Sequence, residues 1–442
     1  MTVFLTRRCC SCLFIVTNLL VATSVSGWLL SKLKYPKRTS TSSLEVPLPA
    51  PAFRKWCEEV GIKASKLEHS CIDGIPGISV RHTTTLLPGE CAIVLPVDAC
   101  IVVLADEVDT VSSSSVPNYL SDKAWQEAPP KLRLACTLLK EYHKGESSYY
   151  KGYIDHLPPI SGPGRERCDT LDGWSEAEIS LLKSPLLQEK LAERAELDNM
   201  WFASLEPESC SRLEFAWAVA VVRTRAFLGD YSVPNNGEAD DIALLPFIDD
   251  LNHRESLGFK EQGSHTFPPV MQVLGRTHNA VCWVAHEAHK AGAEVAHSYK
   301  HGAEGLAEDF LYEWGFTPNE LGANIVQVEG VQVVMRKDGC IDNRSQALQD
   351  ICQAMSQKEC DENKLSHKSI SDADVYQCIA RQCDIEILNL QQDSNDNNVS
   401  EAHNISPHRL ATATSFLAGK ERILKAGLKW AQDQAAMHAS GK

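Results

Sequence analysis

At 442 residues the chain is too long for one small core, and an apolar fraction of 43% with nine tryptophans excludes a mostly disordered protein. The formal net charge is −15; residues 1–50 contribute six Lys and Arg against Glu45, so residues 51–442 carry −15 − 5 = −20. An acidic surface of that kind repels phosphate backbones, which argues against nucleic acid as a partner and for a basic protein or peptide.

The leader comes first. Arg7-Arg8 precede an apolar run from Leu13 to Ala22, and Ser24 and Ser26 frame a cleavage before Gly27, the order of a secretory signal peptide. Extended through Trp28-Leu29-Leu30, the same run reaches the shortest length that crosses a bilayer, so a signal anchor is the rival reading. Residues 31–43 are basic, rich in Ser and Thr and free of acids, as transit peptides are. A signal followed by a transit-like segment resembles two-part plastid import leaders, with an endomembrane-anchored or secreted protein as the alternative. The sequons at Asn343, Asn398 and Asn404 matter only if the chain is secreted.

Folded sequence is expected from residue 51, where Phe53 to Cys57 begins a short helical pattern. Ile75 to Val80 reads as extended, Pro88-Gly89-Glu90 as a turn, and Cys91 to Pro96 as a buried strand. Helical spacing then takes over at Leu132, Ala135, Leu138, Leu139 and Tyr142, from Leu181 to Trp201, and from Leu213 to Phe227. Met271 to Leu274 and Ala280 to Ala285 return to strand composition, joined by Arg276 to Asn279 as a connection. Ile325 to Val328 and Val331 to Met335 flank Glu329-Gly330 as a hairpin; the rest is mainly helical, with Ser345 to Met355 and Leu410 to Met437 periodic and residues 391–406 polar and loop-like.

Two segments concentrate polar chemistry on apolar sequence. Leu245 to Leu251 ends on Asn252-His253, and Gly292-Ala293-Glu294-Val295 runs on to Ser298-Tyr299. Together with Gly77-Ile78-Ser79-Val80, Thr224-Arg225 and Trp314-Gly315-Phe316, they make the chain resemble the SET-domain protein methyltransferases, and among them the Rubisco large-subunit methyltransferase-like group.

That resemblance implies an α+β fold: a strand-rich SET domain over about 51–320, containing a pseudoknot and a helical insert at about 105–228, then a mainly helical, substrate-binding-like domain over 321–442. It implies S-adenosylmethionine as cofactor and a protein substrate presenting lysine, with histidine as the alternative acceptor and a SET-fold pseudoenzyme or scaffold as the non-catalytic alternative. Backbone around Pro76 and Gly77 would approach the cofactor, Arg225 would engage its carboxylate, Asn252 and His253 would bind its methionine and adenine parts, and Tyr299 would be the catalytic tyrosine. Arg223 competes with Arg225 for the pocket. Asp249 keeps the family spacing to Asn252 and is assigned a structural or cofactor role; adjacent strand residues alternate faces, so Asp249 and Asp250 are expected to point apart. Trp314 stands on the cofactor side where the family has a tyrosine, so that Tyr312 could substitute only if the local backbone rearranged, and Lys300 replaces a glycine. A monomer is expected, with membrane contact only through an uncleaved leader.

Other chemistries find little support. His286-Glu287-Ala288-His289 spaces its histidines by three rather than four, so it reads as a solvated turn rather than a zinc-protease helix. Sixteen cysteines without a CxxC pair read as free, mostly buried thiols, and no metal is expected. No Gly-x-Ser-x-Gly elbow or Walker A sequence occurs.

Overall fold

The computed structural model describes residues 51–442 apart from 73–74, 105–118, 162–168, 207, 230, 232–240, 255–263, 266–270, 274–275, 279, 298, 300–305, 319–321, 362–369, 393–404 and 441–442. The leader, Ser298, Lys300 and most of the polar stretch at 391–406 therefore lie outside the described residues.

Helix α1 (Pro51–Glu59) buries Phe53, Trp56 and Cys57, and leads into the hairpin of β1 (Leu67–Ile72) and β2 (Ile75–Val80). β2 is the spine of the site: β1 pairs antiparallel on one side and β12 (Glu294–His297) antiparallel on the other, while β7 (Asn252–His253) joins β12 in parallel. A second sheet orders β3 (Cys91–Pro96), β11 (Ala280–Val284) and β8 (Ser264–His265). A third places β6 (Asp241–Leu244) between β4 (Ile101–Val103) and β5 (Ala226–Gly229).

The helical insert forms where its caps and periodicity require. α2 (Pro130–His143) and α3 (Pro185–Ala203) start on proline, whose fixed φ suits a first helical turn, and α4 (Arg212–Arg225) starts on a capping box between Ser211 and Glu214. α4 is apolar on nearly every face from Phe215 to Val222 because it runs through the first core. The insert nevertheless serves two cores. Leu171, Trp174, Leu182, Leu187 and Leu191 pack with the C-terminal elements rather than with the sheets.

Those C-terminal elements begin with the hairpin of β13 (Ala323–Val328) and β14 (Val331–Arg336), as the sequence suggested. Glu329 (φ 49°) and Gly330 (φ 83°) both adopt the left-handed region, the geometry of a two-residue turn matched to strand twist. Helices α6 (Arg344–Asp361), α7 (Asp372–Gln392) and α8 (Pro407–Ala439) follow. Arg409 on α8 ties this unit to the insert through Asp169 (2.7 and 2.9 Å) and Glu178 (2.7 Å).

Three expectations are corrected. Arg276–His278 is not a connection but β10, paired with β9 (Met271–Val273). His289 is not solvated: its backbone bridges Leu86 in both directions and its side chain is buried. Asp249 and Asp250 do not lie on a strand with opposed faces, because Ile248–Asp250 is a 3-10 turn and both carboxylates converge on Arg225. The cysteines whose side chains are described are free thiols, and among the described residues no helix is long and apolar enough to cross a membrane.

Candidate functional site

The site is built on the parallel pairing of β7 with β12, in which Asn252 faces Ala296 and His253 faces His297. Alternation along β12 sends Val295 and His297 into the core and leaves Glu294 and Ala296 partly exposed on the opposite face. Asn252 uses that face. Its Nδ2 donates to the Pro76 carbonyl (3.1 Å) and to Glu294 Oε1 (2.9 Å), joining β7, β2 and β12 through one side chain. Gly77 makes this possible, since a Cβ there would sit 2.4 Å from Asn252 Nδ2.

His253 and Tyr299 form the next layer. The Tyr299 backbone N–H donates to His253 Nδ1 (3.2 Å), and the Tyr299 hydroxyl donates to the Leu251 carbonyl (2.9 Å). The segment after β12 is thus stitched at two atoms to the segment around β7. Because His253 Nδ1 accepts, the proton of the neutral ring resides on Nε2, a buried donor with no acceptor among the described residues. Burial lowers the His253 pKa to about 4, and burial with the neighbouring His253 lowers His297 likewise to about 4, so both rings are neutral at physiological pH. Burial pushes the Tyr299 phenol up, so its oxygen stays protonated.

An aromatic wall encloses these rings. Trp314 lies 5.3 Å from Tyr299 between ring centroids and Phe310 4.5 Å from His253, both on α5 (Ala307–Trp314). α5 ends on Gly315 in the left-handed region (φ 74°), which returns Phe316 to within 6.1 Å of Tyr299. A side chain on Gly315 would strike the Asp169 carbonyl at 2.2 Å, so the turn also needs glycine for space. Tyr312 is elsewhere, beneath the Arg194 guanidinium at 3.4 Å, and supplies no second phenol to this wall.

Behind the motif lies a buried charge network. Of the two candidate arginines, Arg223 pairs with Asp198 and Asp172, whereas Arg225 Nη1 donates to the Asp249 carbonyl (3.1 Å), Asp249 Oδ2 (3.3 Å) and Asp250 Oδ1 (3.2 Å). Tyr153 donates its hydroxyl to Asp249 Oδ2 (2.7 Å). Burial raises the Asp249 pKa to about 6 against the pull of Arg225; burial acts the same way on Asp250, but His156, His69 and Arg225 hold it well below the carboxylate range. Sequence reasoning missed Tyr153, His69 and His156, whose partners are separated from them by 94 to 181 positions. Of the residues singled out in the sequence, Pro76, Gly77, Asn252, His253, Tyr299 and Trp314 come together around β7, while Arg225 and Asp249 stand beneath them.

A cleft of about 430 Å³ opens beside this assembly, lined by Arg254, Glu287, His289, Lys290, Glu294 and Ala296 among others. It shares Glu294 with the Asn252 hydrogen bond and has the size of a small-molecule site.

The comparisons with known proteins fall on this architecture. The SET domain of LSMT bound to MeLysine and AdoHcy superposes with a TM-score of 0.60, covering 88% of this chain and 93% of that one at 15% identity. Rubisco LSMT bound to AdoMet gives 0.57 with the same coverage at 16% identity. The chain therefore has the fold of a SET domain followed by a helical C-terminal region. Within that fold it is similar to LSMT over nearly its whole described length, as the resemblance drawn from its motifs implied. Among curated proteins, SET domain-containing protein 4 of Homo sapiens is 27% identical over 260 residues, 53% of this chain and 55% of the relative. The Mus musculus protein of the same name is 30% identical over 218 residues, 46% of each. The chain thus matches about half the length of these relatives. No protein-family model matches it.

Proposed function

We propose that this protein transfers the methyl group of S-adenosylmethionine to the side-chain nitrogen of lysine on another protein. One observation carries the reading: Tyr299 is hydrogen-bonded to His253 and to the Leu251 carbonyl, and the adjoining Asn252 to Pro76 and Glu294, so that distant segments are joined under an aromatic wall. The donor set fits the cofactor. The buried Nε2–H of His253 has no acceptor among the described residues, and Gly77 lets the Asn252 amide lie directly against the β2 backbone. Bound there, S-adenosylmethionine supplies a methyl carbon activated by a sulfonium. Arg225 Nη1 is bonded to Asp249 and Asp250, beneath the segment that presents Asn252.

The residues present then do three things. Asn252, His253 and the β2 backbone hold and orient the cofactor. Tyr299, neutral and with its hydroxyl proton committed to Leu251, turns oxygen lone pairs rather than a base toward the reacting centre, where weak CH···O contacts fix the direction of the methyl. The aromatic surroundings disfavour an ammonium ion, so the acceptor enters as the neutral amine whose lone pair forms the new N–C bond as the S–C bond breaks. Positioning of this kind supplies about 7–11 kcal/mol of barrier reduction. The leader reading stands beside this as a proposal of plastid delivery, resting on the order of its charged, apolar and Ser/Thr-rich segments.

The test is incubation of the full-length protein with methyl-labelled S-adenosylmethionine and acidic-depleted, basic protein fractions, followed by amino-acid analysis of the labelled product. Methyllysine supports the proposal, methylhistidine moves the acceptor, and absence of both label and calorimetric cofactor binding leaves a scaffold.

A further inference from the structure

Beneath the Asn-His segment three ligand-type atoms converge: His69 Nε2, His156 Nε2 and Asp250 Oδ2 lie within 4.8 Å of one another. Both imidazoles aim Nε2 at the same carboxylate oxygen, at 3.0 Å from His69 and 2.7 Å from His156. The three come from β1, from the turn after the short helix Lys151–Ile154, and from the 3-10 turn before β7. Their side chains are only 7%, 7% and 10% exposed, so the arrangement is internal rather than a chance surface cluster.

The surroundings are shaped to hold it. Phe53 stacks flat on His156 at 3.9 Å with an interplanar angle of 6°, and Phe247 meets the His69 ring edge-on at 4.8 Å. Phe247 is a non-glycine residue in the left-handed region (φ 73°), a strained conformation that persists where the surroundings impose it. Arg225 binds the other oxygen of Asp250 at 3.2 Å and thereby orients the carboxylate with Oδ2 toward the two rings.

Inside this buried network the paired carboxylates Asp249 and Asp250 face one guanidinium, Arg225, and the two imidazoles. Two imidazoles and a carboxylate are ligands that suit a divalent first-row ion of Zn²⁺ type, with one position left for water. Bonds of about 2.0–2.1 Å set neighbouring ligand atoms about 3.3 Å apart, so the two imidazole nitrogens, 3.0 and 2.7 Å from Asp250 Oδ2 and within 4.8 Å of each other, would move out from the carboxylate by about half an ångström and settle to that spacing from each other.

We propose that His69, His156 and Asp250 form a Zn²⁺ site. The ion clamps β1 and the 151–156 segment to the turn that presents Asn252, and it takes no part in methyl transfer. No spacing rule finds it in the sequence, because Asp250 is 181 positions from His69 and 94 from His156.

The experiment is Zn²⁺ titration of the chelator-treated full-length protein against a chromophoric chelator, repeated with Co²⁺ for its visible spectrum. Expected is one Zn²⁺ per chain, a Co²⁺ spectrum of nitrogen and oxygen ligation, and loss of affinity by roughly 100-fold or more in His69→Gln and His156→Gln. Glutamine can still donate to Asp250, so these variants keep the apo network and should match the melting temperature of the metal-free parent. Absence of stoichiometric binding, unchanged binding in both glutamine variants, or a thiolate charge-transfer band showing capture by the free cysteines would each overturn the site.

Discussion

Gly77→Ala tests the central joint of the site at one atom. The new Cβ would lie 2.4 Å from Asn252 Nδ2, and relief to an ordinary contact near 3.4 Å drives the amide back by about 1 Å. At that distance Nδ2 loses both the Pro76 carbonyl (3.1 Å) and the Glu294 carboxylate (2.9 Å). The neutral bond is worth about 1 kcal/mol and the bond to the carboxylate about 1.5–3 kcal/mol. Alanine also restricts the unfolded chain and returns about 0.4–1 kcal/mol, since φ at residue 77 is not in the left-handed region. The net expectation is roughly 2–3 kcal/mol of destabilisation. The assay is a double-mutant cycle in denaturant with Asn252→Ala, each variant also titrated with S-adenosylmethionine. If the cost passes through Asn252, adding Gly77→Ala to Asn252→Ala costs almost nothing more. A Gly77→Ala protein with parental stability and affinity, or a strictly additive cycle, would refute the reasoning.

Tyr299→Phe removes the hydroxyl that donates to Leu251 but keeps the ring contacts, so turnover should fall steeply while cofactor affinity changes little; equal turnover takes Tyr299 out of the chemistry. His297 has a pKa lowered to about 4 in the fold, against about 6.5 unfolded, so the unfolded state binds the extra proton between these values and stability falls as pH drops through that window. Between pH 6.5 and 5 its share is about 2 kcal/mol, which His297→Phe should abolish; an unaltered slope of denaturation midpoint against pH would disprove the assignment. Lys420 pairs with Glu308 at 3.0 Å in a buried position, so Lys420→Met should cost about 3–5 kcal/mol by stranding the carboxylate, and Glu308→Gln in the same chain should recover part of it. If the single and double variants melt alike, the ion pair is not what joins α8 to α5. A fluorescent protein fused behind residues 1–50 should collect in plastids, and retention in the endomembrane system would establish the anchor reading instead.

The sequence by itself determined the elements whose cause is local. β2, β3 and the β13–β14 hairpin follow from extended apolar runs and a Glu329-Gly330 turn, and the long helices follow from caps and periodicity that need no distant partner. It also carried the Asn252-His253 and Tyr299 signatures, because the backbone and side chains proposed to bind the cofactor are crowded into short, constrained segments. Tertiary structure decided the rest. Arg276–His278 becomes a strand only because β9 is there to pair with it. The insert is divided between two cores by apolar faces that periodicity identifies but cannot direct. Asp249 and Asp250 look divergent on a notional strand, yet a 3-10 turn entered through a left-handed Phe247 aims both at Arg225. Tyr153, His69 and His156 carry no motif at all; what gives them a role is the low-dielectric interior, where a buried carboxylate must find donors wherever the chain can bring them.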